Sequence, residues 1–199
     1  MTPPAGGGGL LSMRIELALP DWLGPFLGSW DGPLDSEQRR MRLAVALAAE
    51  NVRQRTGGPF GAIVVEERSG RLLGAGVNQV TAQGLSFAHA EILALSLAQR
   101  TVEDWNLGAG QPVQLVTSCE PCAMCFGAVP WSGVSSLLWG AHKEDAEAAG
   151  FDEGDKPADW EATLQARGIR TVGGVLRGAA AAVLSSYARD NGEIYHPNR

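Results

Sequence analysis

The chain predicts an α/β fold, a three-layer α/β/α sandwich around a central mixed five-stranded sheet. Three observations carry this. Short apolar runs rich in β-branched residues alternate with segments whose apolar residues recur at three- and four-residue steps, in the order α-β-β-α-β-α-β-α-β-α. The first two strand runs are joined only by a turn at Ser69-Gly70, which makes them an antiparallel hairpin. Finally, 45% of the 199 residues are apolar, enough for the core of one domain with terminal extensions.

Residues 1–34 are expected to form an N-terminal extension, followed by one domain over 35–199. The extension opens on a Pro/Gly-rich stretch, residues 1–9, expected to be disordered. Residues 14–34 carry Pro20, Gly24, Pro25, Gly28, Gly32 and Pro33, so no helix or strand is expected to run far there. Trp22, Phe26 and Trp30 are expected to pin this arm onto the domain, with a role in a substrate pocket as the alternative.

Asp35 or Ser36 then reads as a helix N-cap, with Gln38 completing a capping box with Asp35. Met41, Ala44, Val45, Ala48 and Val52 form one amphipathic face, and Gly57-Gly58-Pro59 is the expected stop. Strands are predicted over 60–66 and 72–77, with Asn78 just beyond the second and a loop through Gly84 and Ser86. A helix is predicted over 89–100, a loop over 104–112 and a strand over 113–117, leaving through Ser118-Cys119-Glu120-Pro121. Pro121 suits a first helical turn, so a helix follows over 122–129, its end disturbed by Pro130. The remaining elements are a strand over 134–139, a short turn over 146–149, an acidic loop over 151–157, a helix over 160–167, a strand over 171–176 and a helix over 179–188. Asn191-Gly192 closes that helix, and a tail over 193–199 follows.

The formal net charge of −6 gives the chain no broad attraction for phosphate backbones, which weighs against DNA or tRNA as its partner. No run approaches the roughly 18 apolar residues of a membrane span. Three cysteines without a secretory signal point to a reducing, cytoplasmic setting in which thiols hold metal rather than pair.

The chemistry concentrates in two short stretches. His89 and Glu91 lie two residues apart, and Cys122 and Cys125, three apart, begin 33 residues after His89. Cys122 and Cys125 share one helical face, and all three candidate ligands open helices, where partial positive charge favours the thiolate. Three protein ligands leave one tetrahedral position open, the arrangement of a catalytic zinc rather than a structural one. Glu91 is placed to move protons without binding the metal. This H-x-E … P-C-x-x-C pattern is an established zinc-deaminase signature. A lone CxxC also fits a redox dithiol or half a zinc ribbon, but a ribbon needs a second close pair and only Cys119 remains. An iron–sulfur cluster would lack its fourth thiol. Cys119 therefore reads as a buried structural residue, and His142 and His196 as loop and tail histidines.

A flat heteroaromatic substrate needs stacking faces and polar groups that read its edge. Phe60 and Trp131, each beside a motif, are either such faces or core residues. Asn78 is either an edge reader or a turn former, and Glu153 either a second carboxylate for the substrate or a solvated loop acid.

The sequence resembles the cytidine-deaminase-like superfamily and, within it, the bacterial guanine deaminase branch, closest to a subgroup acting on guanine and the s-triazine ammeline. The resemblance rests on Gly57-Gly58-Pro59-Phe60-Gly61-Ala62, Ala88-His89-Ala90-Glu91, residues 117–128, Trp131-Ser132-Gly133 and residues 147–154, and spans residue 36 to the C-terminus. It implies one zinc per subunit on His89, Cys122 and Cys125. It implies Glu91 and Glu153 as catalytic carboxylates, and Phe60, Asn78, Ala90 and Trp131 as substrate contacts. It also implies a homodimer and a C-terminal tail, around Ile194, Tyr195 and His196, folded over the site. The expected reaction is hydrolysis of guanine to xanthine and ammonia. Alternatives are another aminated ring (ammeline, guanosine, cytosine or tRNA adenosine) or a zinc-binding scaffold without activity. The chain departs from the branch in its longer N-terminal arm and in Pro130, which bears on the end of its helix and the tilt of the Trp131 indole.

Overall fold

The computed structural model describes residues 13–195; the expectation of disorder over residues 1–9 and the reading of His196 lie outside them. Five strands form one sheet: β1 (Gly61–Glu66), β2 (Leu72–Val77), β3 (Val113–Cys119), β4 (Ser136–Ala141) and β5 (Arg170–Val172), in the order β2-β1-β3-β4-β5. β1 is antiparallel to both β2 and β3, while β3, β4 and β5 run parallel, so the sheet is mixed as expected. Alternating side chains seal its two faces. Ala62, Val64, Leu115, Leu137 and Trp139 pack one way. Ile63, Val65, Val116 and Leu138 pack the other. On the first face lie α4 (Ala90–Val102), α5 (Ala123–Ser132) and α7 (Trp160–Gln165); on the second lies α2 (Glu37–Arg53). α8 (Arg177–Arg189) packs against α2 and β4.

The direction of the strands gathers the interesting residues at one edge. Gly61 pairs with Val77 and Ala62 with Thr117. The start of β1, after Phe60, therefore lies beside the end of β2, before Asn78, and the end of β3, before the cysteines. Ligands of open α/β sheets bind outside such strand ends. Two glycines in β2 bring α4 unusually close: a Cβ on Gly76 would lie 2.2 Å from the Ala90 carbonyl, and one on Gly74 2.3 Å from that of Ala94.

Several local expectations are corrected, and others hold. Over residues 14–34 no element runs far, as expected: the helix there, α1 (Leu23–Gly28), is six residues long, with Pro25 in its first turn, where no intrahelical N–H is needed. Trp22 and Phe26 pack edge to face and, with Leu23 and Trp30, close over the α2 side of the core, so the arm is pinned as expected. Ser36 rather than Asp35 caps α2, accepting from the Arg39 N–H at 3.4 Å, while Asp35 pairs with the Arg39 guanidinium at 3.0 Å. α2 ends before Gly57: Arg55 takes a left-handed conformation (φ 56°), and its N–H and that of Thr56 bond back to Val52 and Asn51. A four-residue helix, α3 (Val80–Gln83), occupies the expected loop after Asn78.

Ser118 and Cys119 belong to β3 rather than to its exit loop, β4 lies two residues later than expected, and α6 (Lys143–Ala148) extends the expected turn. β5 is only three residues long, because Gly173 must pass over the Trp139 indole, where a Cβ would lie 2.3 Å from the ring. α5 runs through Pro130 to Ser132 and stops on Gly133 at φ 80°. There a Cβ would meet Asn106 Oδ1 at 2.2 Å, so close packing rather than Pro130 sets the end of the helix.

Candidate active site

His89 is the N-cap of α4 and Cys122 the N-cap of α5; both have extended backbone before the helix turns. Two helix N-termini thus converge on one point. His89 Nδ1 lies 3.5 Å from Cys122 Sγ and 3.6 Å from Cys125 Sγ. Zinc held by one imidazole and two thiolates at ordinary bond lengths in tetrahedral geometry requires N···S separations of about 3.6 Å. Both imidazole–thiol separations therefore match a shared zinc, and all three donors lie within 4.8 Å of one another.

The thiols behave as a coupled pair. A hydrogen bond from Cys125 and the nearby His89 hold Cys122 down at about 4, against the effect of burial. That same bond, with burial, raises Cys125. Burial opposes protonation of His89, but Cys122 and Glu91 outweigh it and raise its pKa. Glu91, in the first turn of α4 and 6% exposed, is pushed to about 7, chiefly by burial and then by Cys122. Glu153, 5% exposed, is pushed to about 8 by burial, then by Cys122 and Glu91. A divalent cation among these groups reverses the balance and favours both thiolates and both carboxylates.

Glu153 reaches the site on a loop latched to the cysteine segment. The Ala123 N–H donates to the Glu153 carbonyl at 2.9 Å, and an Asx turn binds Gly154 N to Asp152 Oδ1 at 2.8 Å. Behind it, Lys156 is sealed from water, donating to Glu120 at 2.5 Å and to the Pro121 carbonyl at 2.6 Å while lying 4.6 Å from the Trp160 ring.

Phe60, His89, Glu91, Glu120, Cys122, Phe151, Asp152, Glu153 and Tyr195 line the cleft. Phe60 and Phe151 meet edge to face at 4.8 Å. Tyr195 of the C-terminal segment lies over the opening: Asn78 Nδ2 donates to its hydroxyl at 2.8 Å, and that oxygen lies 3.4 Å from His89 Nε2. Asn78 Oδ1 accepts from the Val80 N–H at 3.3 Å, which leaves Nδ2, a donor, facing the cleft.

Of the residues singled out in the sequence, His89, Glu91, Cys122, Cys125, Glu153 and Phe60 come together, with Asn78 at the rim. The Ala90 side chain is sealed in the core, so only its backbone N–H, in the first helical turn, is free to address a ligand. Trp131 does not line the cleft of its own chain. It is 81% exposed, because nine helical residues after Cys122 it points to the opposite side of α5. Cys119 is buried as expected, and His142 caps α6, 3.8 Å from Glu120. The sequence reading did not single out Phe151 or the Glu120–Lys156 pair. Phe151 and Lys156 lie in the acidic loop and Glu120 at the exit of β3, and nothing local distinguishes a buried Lys or Glu from a solvated one.

The family described as "Cytidine and deoxycytidylate deaminase zinc-binding region" matches residues 34–141. A guanine deaminase of Bacillus subtilis (strain 168) is 38% identical over 125 residues, 60% of this chain and 77% of that protein. The solved structure of guanine deaminase from Nitrosomonas europaea is 44% identical with a TM-score of 0.84, covering 91% of this chain and 100% of the other. A structure of NE0047 in complex with 2,6-diaminopurine is 45% identical with a TM-score of 0.84, covering 92% and 97%.

Proposed function

Because the chain belongs to the cytidine and deoxycytidylate deaminase family, as a zinc-dependent hydrolytic deaminase of nucleobases, we propose that its own substrate is guanine, converted with water to xanthine and ammonia. The observation that carries the reading is the convergence of His89, Cys122 and Cys125 with two buried carboxylates beneath an aromatic-lined cleft. Zinc on the three ligands supplies the Lewis acidity that makes water nucleophilic at neutral pH.

The residues of the chain do the rest. Glu91 takes a proton from the attacking water and returns it to the ring nitrogen beside C2. Glu153, which lines the same cleft, passes the remaining hydroxyl proton at C2 to the amino group, so that the C2 carbonyl forms as the C2–N bond breaks and ammonia departs. Asn78 Nδ2 donates to an acceptor on the ring edge, and Phe60 and Phe151, packed edge to face, supply the aromatic wall of the cleft. Tyr195 occupies the donor of Asn78 when no ring is bound, so the segment around Tyr195 acts as a cover that yields this bond to substrate. A structure with guanine bound in which Asn78 still holds Tyr195 would refute that role.

The substrate is tested on a panel. Zinc-loaded enzyme is expected to release ammonia from guanine at a higher kcat/KM than from ammeline, guanosine, cytosine or adenosine. Turnover of any of these above guanine would replace the assignment. The donor presented by Asn78 favours a ring with a carbonyl acceptor at its edge, as guanine has.

The outer face of α5 supports a homodimer. Met124, Gly127, Ala128 and Trp131 form an apolar stripe at three- and four-residue steps, with Met124 40% and Trp131 81% exposed. A second copy covers this stripe. Wild-type chain is expected to sediment at twice its 20.9 kDa mass and Trp131→Arg at the single mass; a monomeric wild type would refute the dimer. The division at residue 35 stays as proposed, with α1 belonging to the extension. We place the protein in the cytoplasm: its cysteines are free thiols, and no helix among the described residues is long and apolar enough to cross a membrane.

A further inference from the structure

The hydrogen bonds behind Asn78 reach beyond the cleft. Asn51, near the end of α2, is completely buried. Its Nδ2 donates to the Gly58 carbonyl at 2.8 Å and to the Asn78 carbonyl at 2.9 Å. Its Oδ1 accepts from the Thr56 hydroxyl at 2.7 Å. Gln79 Nε2 donates to the same Asn78 carbonyl at 2.9 Å and to that of Thr56 at 2.8 Å. Both lone pairs of the Asn78 carbonyl are thus taken by buried side-chain amides. The Thr56 hydroxyl in turn accepts from the Trp22 indole N–H at 2.9 Å, which brings in the N-terminal arm. The backbone makes room for the clamp: a Cβ on Gly57 would lie 1.9 Å from the Asn78 carbonyl oxygen and 2.8 Å from Asn51 Nδ2.

The Asn78 N–H bonds to the Phe60 carbonyl at 3.0 Å, so the β1–β2 pairing fixes one of its two backbone polar groups. The side chains of Asn51, from α2, and Gln79 then converge on one further backbone group, and Thr56 of the 54–57 turn braces both amides. Buried, fully satisfied polar networks of this kind select a single geometry. The residue so held is the one whose side chain faces the cleft as a donor.

We propose that Asn51 is a positioning residue for substrate recognition, holding Asn78 so that its Nδ2 meets the ring edge, with Trp22 of the N-terminal arm at the far end of the same chain of hydrogen bonds. This rests on the reading that Asn78 contacts the base.

The test is steady-state deamination of guanine, with zinc content, for Asn51→Ala, Thr56→Val, Trp22→Phe, Asn78→Ala and the Asn51→Ala/Asn78→Ala pair. Asn51→Ala is expected to raise KM about tenfold with kcat within about threefold and zinc at one per chain. Thr56→Val, which removes the hydroxyl's bonds to Asn51 and Trp22, and Trp22→Phe, which removes only the second of these, are expected to raise KM about threefold. The double variant is expected to be no worse than Asn78→Ala alone, because Asn51 acts through Asn78. Effects that multiply in the double variant, or a fall in kcat at unchanged KM, would overturn the proposal. If Asn51→Ala fails to fold, Thr56→Val decides by the same split. An Asn78→Ala variant with normal KM would sink the base-reading role and this proposal with it. A large Asn78→Ala effect beside silent Asn51→Ala and Thr56→Val overturns the positioning role alone.

Discussion

Replacing Glu91 by Gln is expected to lower kcat about a thousandfold while zinc stays at one per chain and the fold is unchanged. Gln fills the same space in the first turn of α4, where the residue is 6% exposed, and it preserves hydrogen-bonding capacity. It cannot take and return a proton, and general acid–base catalysis contributes roughly 10²–10⁴ in rate. The loss should fall on kcat rather than KM, because the proton moves only in the chemical steps. Ammonia release and metal analysis on one preparation decide it. A Glu91→Gln variant that turns over guanine at the wild-type rate would remove this carboxylate from the mechanism and leave the metal site standing.

Withdrawing the metal should cost still more, and in two readouts. Chelation, or Cys125→Ala, is expected to bring turnover below about one thousandth of wild type, with zinc restoring the chelated enzyme but not the variant. It should also lower thermal stability, since the three ligands join the start of α4 to the start of α5. A ligand present at a thousandfold its Kd stabilises the folded state by about 4 kcal/mol. The apo protein loses that term, and its thiols revert to a coupled pair in which Cys122 is held low and Cys125 high. Chelated enzyme with full activity would overturn the zinc assignment. Together the two experiments separate proton transfer from metal binding, because Glu91→Gln keeps its zinc and Cys125→Ala does not.

The parts of this molecule legible in the sequence are those encoded locally. Periodicity located the five strands and the long helices, and the hairpin turn at Ser69-Gly70 set the antiparallel pair. His89, Glu91, Cys122 and Cys125 were legible because ligand chemistry imposes spacing within single helical turns. The errors lie where a distant contact decided the matter. α5 passes through Pro130 because Gly133 is packed against Asn106, far away in the chain. β5 stops early because Gly173 crosses Trp139. The clamp on Asn78 was invisible for the same reason: Asn51, Thr56 and Gln79 are ordinary polar residues until α2, its exit turn and the end of β2 meet. Trp131 is a separate case, decided locally: helical rotation turns it away from the cleft of its own chain.

The contact of α4 with β2 through Gly74 and Gly76 has a consequence for engineering. Backbone there rests on backbone, so the height of α4 above the sheet is set by peptide geometry and not by the size of any exchangeable side chain. Repacking a hydrophobic layer ordinarily lets a helix drift by fractions of an ångström. This seam has no such play, and Glu91 and the His89 imidazole at the head of α4 inherit its stiffness. Under the proposed roles of Asn78 and Glu153, substrate range is expected to be open to redesign from the rim while the head of α4 keeps its register.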